Sequence, residues 1–118
     1  MKTRTEELYE KFQNTKQENI RLSCALEGMF LDCEIPEEAE KSYTQYLKYR
    51  IRPAMEFLIQ EEDIRKMELL ESYGWFGRRE LDQFIRTARE KRKMESMVWL
   101  MMLKDKKYGY EDVGKTDF

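Results

Sequence analysis

Apolar positions three and four apart recur through most of the chain, and they are clearest between Trp75 and Gly109. Leu81, Phe84, Ile85 and Ala88 stand at offsets 0, 3, 4 and 7, one stripe of an amphipathic helix. Met94, Met97, Val98 and Met101 repeat those offsets, and Leu100 and Leu103 widen the stripe. Between them Arg89-Glu90-Lys91-Arg92-Lys93 is too polar for a core. Two such helices on a short connection are expected to pack as an αα-hairpin, each burying its stripe against the other.

The same reading extends upstream. Thr3-Arg4-Thr5-Glu6 has the form of a capping box, followed by apolar Leu8 and Phe12. Thr15-Lys16-Gln17-Glu18 repeats it ahead of Leu22, Ala25, Leu26, Met29 and Phe30, so either two helices meet near Asn14-Thr15, the preferred reading, or one long helix runs through with a polar middle. Gly28 costs a helix about 1 kcal/mol relative to Ala, which fits a place where a neighbouring helix comes close. Pro36 suits a first helical position, with Glu37 and Glu38 at the positive end of the helix dipole. The helix that follows should bury Ala39, Tyr43 and either Tyr46 or Leu47, and end or kink at Arg52-Pro53. After Ala54 to Ile59 and the acidic corner Glu61-Glu62-Asp63, a further helix uses Ile64, Met67 and Leu70. Gly74 then fits a left-handed helix terminus.

These elements predict an all-α fold of about six helices in three consecutive hairpins, 3–31, 36–73 and 78–108. The expected form is solenoid-like or a compact helical bundle. Residues 1–110 read as a single all-helical domain and 111–118 as an extended or disordered tail.

Two partial repeats run through the second half. Tyr73-Gly74 returns as Tyr108-Gly109, and Arg65-Lys66-Met67-Glu68 returns as Arg92-Lys93-Met94-Glu95. Arg52-Pro53-Ala54-Met55 lies where an ankyrin repeat carries Thr-Pro-Leu-His, with the proline shared. Leu81 and Ala88 match the Leu and Ala of the first ankyrin helix, and Leu69-Leu70-Glu71-Ser72-Tyr73-Gly74 matches its ending with one residue extra. On these positions residues 52–109 resemble degenerate ankyrin-type helix pairs, which implies a protein-binding array.

Composition adjusts this picture in three ways. Charged residues make up 39% of the chain, against roughly 25% in average domains, yet 41% is hydrophobic, enough for folding. Residues 1–74 carry 11 Lys and Arg against 16 Asp and Glu, while 75–107 carry 10 against 5. Such an asymmetry favours directional association or a polyanion-facing surface, although a chain this rich in charge also forms blocks by chance. No signal-peptide pattern follows Met1 and no apolar run reaches membrane length, so a cytoplasmic, reducing setting with free Cys24 and Cys33 is expected.

The chain has no histidine, which removes the commonest general base and the usual metal-binding partners of glutamate and cysteine. Glu37-Glu38-Glu40 and Glu61-Glu62-Asp63 sit at expected helix starts, where acids belong for dipole reasons alone. The reading is therefore non-catalytic, with no cofactor and no metal: a protein–protein interaction module able to self-associate. Met97 to Leu103 is apolar nearly all round, and a helix of that kind is buried centrally or covered by a partner. The candidate interaction residues are Trp75, Phe76, Trp99, Met102 and Leu103. The alternative is a small nucleic-acid-associated protein using a basic face of Arg78, Arg79, Arg86, Arg89, Arg92 and Lys93, with Trp75 and Phe76 stacking on bases. Acidic Glu80, Asp82, Glu90 and Glu95 interleave with those cations.

Overall fold

The computed structural model describes residues 2–31 and 34–109, so Cys33 and the expected tail at 111–118 lie outside the described residues. Those residues form seven α-helices and no strand: α1 (Arg4–Asn14), α2 (Glu18–Met29), α3 (Glu37–Tyr49), α4 (Ile51–Glu61), α5 (Ile64–Ser72), α6 (Arg78–Glu90) and α7 (Met94–Tyr108). The all-α class is as the periodicity predicts. The stretch expected as the middle hairpin holds three helices rather than two. The chain divides into two compact units, Met1–Ala54 and Met55–Phe118, with the boundary inside α4.

In the first unit α2 packs against both α1 and α3. Thr3 and Glu6 form the predicted capping box: the Glu6 N–H donates to Thr3 Oγ1 at 3.2 Å and the Thr3 N–H to Glu6 Oε1 at 2.8 Å. The second expected box does not form. Thr15 closes α1 instead, and α2 starts behind Gln17, which caps nothing with its side chain. The break itself falls where expected. Leu8 and Phe12 of α1, Leu22, Ala25 and Leu26 of α2, and Ala39, Tyr43, Tyr46 and Leu47 of α3 are buried together with Cys24. Burial pushes the Cys24 thiol pKa up, so it behaves as a small apolar side chain.

Gly28 is where the first unit closes up. A Cβ there would stand 2.5 Å from Cε2 of Tyr43, so only glycine lets the tyrosine ring lie on the α2 backbone. That ring is met edge-on by Phe12 at 5.0 Å and by Tyr9 at 5.8 Å, and Tyr46 meets Phe12 at 5.2 Å. The break between α3 and α4 comes at Arg50, three residues before Pro53. Proline sits in the first turn of α4, where its missing N–H leaves no helical bond unmade.

In the second unit, α6 buries Leu81, Phe84, Ile85 and Ala88, the stripe read from the sequence, and packs against α7. The corners α4–α5 and α6–α7 have the same backbone form. Glu62 and Arg92 hold left-handed φ of 54° and 58°, followed by Asp63 at φ −90°, ψ 82° and Lys93 at φ −94°, ψ 82°. The Asp63 N–H reaches the Leu58 carbonyl at 3.0 Å and the Lys93 N–H reaches the Ala88 carbonyl at 2.8 Å. Gly74 follows α5 at φ 72°, the left-handed terminus expected.

Candidate functional site

The candidate surface is the outward side of α7. The sequence predicts that the stripe Met94, Met97, Val98 and Met101 packs inward. The structure turns it outward: Met94, Val98 and Met101 are 57%, 51% and 47% exposed, and Met97 is half-buried. The fully buried residues are Ser96 and Leu100. The physical reason is the N-terminus of α7. Its first N–H groups need acceptors, and Lys93 at the N-cap has none to offer. Glu62, at the α4–α5 corner, supplies its carboxylate to the Ser96 N–H at 3.0 Å, and Ser96 Oγ donates to the Ile59 carbonyl at 3.1 Å. Those two bonds fix the rotation of a helix that is apolar on nearly every side.

At about 100° per residue, Met101, Met94, Val98 and Met102 cross one arc of about 100° on α7. Met102 is the most exposed of them, at 65%. Beside this arc an open groove runs between α5 and α7, with Trp99, Met102 and Leu103 against Glu68, Glu71, Asp105 and Lys106. Lys107 spans the two helices by an ion pair to Glu71 at 2.5 Å, which raises the lysine pKa. Trp99 and Leu103 are half-buried, so the indole is neither fully core nor fully displayed.

The other sequence-selected residues fall elsewhere. Trp75 stacks on Tyr73, rings 4.3 Å apart and 7° from parallel, and Phe76 meets Phe84 edge-on at 5.2 Å. Neither lines the Trp99 groove. Arg78, Arg79 and Arg86 border an open depression on α6 with Asp82 and Gln83. Asp82 is paired with Lys104 at 2.7 Å, and the Arg78 guanidinium lies 5.9 Å from the Tyr108 ring centre. Because α6 ends at Glu90, Arg92 and Lys93 belong to the corner. The seven-residue series Arg79, Arg86, Lys93 therefore does not continue along one helix face.

No helix among the described residues is long and apolar enough to cross a membrane. No family model, no curated protein and no solved structure matches the chain.

Proposed function

We propose that the chain is a non-catalytic protein-interaction module whose binding face is the outward side of α7. One observation carries the reading: Met94, Val98, Met101 and Met102 stand exposed on a single helical arc. Single exposed apolar residues are ordinary, but a contiguous strip of four large ones is a docking surface in the making. Methionine suits such a face, because its flexible thioether adapts to the shape of what covers it. Trp99 at the edge of the strip supplies an aromatic anchor of the kind that dominates interface energies. A cytoplasmic setting fits the free, buried Cys24 thiol.

The test is a photo-crosslinking amino acid in place of Val98, in cells that make the chain. Protein adducts are expected there and not at Gln45, an exposed position on α3. A Val98 probe that captures no protein removes the reading.

Nucleic-acid binding is the second reading, favoured by the exposed Arg79 and Arg86 on either side of the α6 depression. Against it, Asp82 lies between those cations, and the Trp75 and Phe76 rings already have aromatic neighbours. Titration of labelled DNA and RNA at rising salt separates the two readings, since phosphate contacts weaken steeply with ionic strength and apolar docking does not.

A further inference from the structure

We propose that the occupant of the α7 face is α7 of a second copy, the two helices lying antiparallel about a two-fold axis near Met101. This rests on the interaction-module reading above and names its partner. The argument is self-complementarity. A two-fold interface sets residue i of one copy against residue j of the other and j against i, so the face must match its own reverse. Glu95 and Lys106 are both exposed, and neither makes an ion pair with another described residue. They lie about 20° apart round the helix, on the edge of the arc next to Met102, and about 16 Å apart along it.

Reversing the helix about the point midway between them sets Glu95 of each copy opposite Lys106 of the other. The same operation sets Trp99 opposite Met102, a sulfur–aromatic pairing, and brings Val98 within a turn of Met101 and Met102 of the other copy. The exposed Val98, Met101 and Met102 then lie against one another across the two-fold axis, Glu95 meets Lys106 at each end, and Met94 falls beside Asp105. Asp105, nearer the middle of the face, falls within a turn of Lys93 of the other copy. The chain's other strongly charged surface fits the groove less well. Arg78, Arg79, Arg86 and Arg89 are the exposed residues along α6 before its last position, and none of them is an apolar side chain to set on Trp99 and Met102.

One helix pair is a small interface, so the expected dimer has a dissociation constant on the order of tens of micromolar. Sedimentation equilibrium of the full chain from about 5 to 500 μM tests it, with Glu95→Lys and Lys106→Glu as variants. Both residues are exposed, and far-UV circular dichroism checks that each variant keeps its helices. Alone, each variant places like charges opposite one another at both ends, and dimerisation should weaken about tenfold or more. Mixed one to one, Glu95→Lys and Lys106→Glu restore both pairs, so a heterodimer should form at concentrations where neither variant self-associates. A wild-type chain that stays monomeric at 500 μM overturns the proposal. So does a dimer that the variants leave unchanged, or a mixture that fails to recover. The Val98 crosslinks distinguish this failure from that of the broader reading: adducts with a different protein leave an interaction module standing, and no adduct at all removes both.

Discussion

Gly28 and Tyr43 set the closest approach in the first unit, and each makes a prediction with an unusual sign. Alanine is a better helix former than glycine by about 1 kcal/mol, so Gly28→Ala would stabilise an isolated α2. In the folded chain its Cβ would fall 2.5 Å from a ring held between Tyr9 and Phe12. The clash outweighs the propensity gain, and Gly28→Ala should destabilise by about 2 kcal/mol in urea unfolding. Tyr43 is 1% exposed and its hydroxyl has no hydrogen-bond partner among the described residues. The buried Tyr46 hydroxyl, in contrast, donates to Glu18 Oε1 at 3.0 Å. Tyr43→Phe should therefore be neutral or stabilising by up to about 1 kcal/mol, while Tyr46→Phe costs about that much. Both phenols are pushed up to about 12, each chiefly by burial and Tyr46 also by its bond to Glu18. The native state thus holds these protons more tightly than the unfolded chain, whose tyrosines ionise near ~10. Their contribution is complete below pH ~10 and is lost as pH rises towards ~12. Tyrosinate absorbance and circular dichroism followed together from pH 9 to 12 should show late ionisation coupled to unfolding, with a shallower loss in Tyr43→Phe.

Among the elements, α7 is the one whose orientation depends on a residue of another corner. The sequence places Glu62 as an acid at its own helix start. It instead caps the helix that begins thirty-two residues later, through the Ser96 N–H. Glu62→Ala should cost about 1 kcal/mol, the value of a lost N-cap with a charge at the dipole's positive end. The neighbouring exposed Glu61→Ala should stay within about 0.5 kcal/mol, and chemical denaturation of the pair measures the difference. This contact also marks where sequence reading stops. The α6 stripe was legible because its polar and apolar faces are cleanly separated, and Leu81, Phe84, Ile85 and Ala88 are all buried. In α7 apolar residues surround the helix between Met97 and Leu103, so periodicity offered several equivalent stripes, and the small polar Ser96 lies on the inward side. The two repeat spacings differ for a related reason. The two corners superpose in backbone form at a spacing of thirty, Glu62 to Arg92. The Tyr-Gly stops lie thirty-five apart because α7 has 15 residues and α5 only 9. The Arg-Lys-Met-Glu copies lie twenty-seven apart because Met67 is inside α5 whereas Met94 opens α7.

At the scale of the whole molecule, the methionines of the described residues grade from buried to exposed, and the exposed ones offer a direct chemical reading of the candidate surface. Met55 and Met67 are fully buried, while Met94, Met101 and Met102 are about half or more exposed on one side of α7. In a protein whose methionines were only core filler, the accessible ones would be scattered. Here they share an arc, so a reagent that attacks exposed thioethers should mark one face and spare the interior. Mild hydrogen peroxide, with peptide mass spectrometry over time, should oxidise Met94, Met101 and Met102 first and Met55 and Met67 last, with half-buried Met29 and Met97 between them. Sulfoxide formation makes each side chain polar without disturbing the buried core, so circular dichroism should stay unchanged through the first phase. The α7 face should lose its capacity to associate in that same phase. Association should also protect: at about 500 μM the three exposed methionines should oxidise several-fold more slowly than at about 5 μM, while Met29 keeps its rate. Equal rates for all three at both concentrations would mean that nothing covers this face in the pure protein, and a partner of different sequence would then be required to do so.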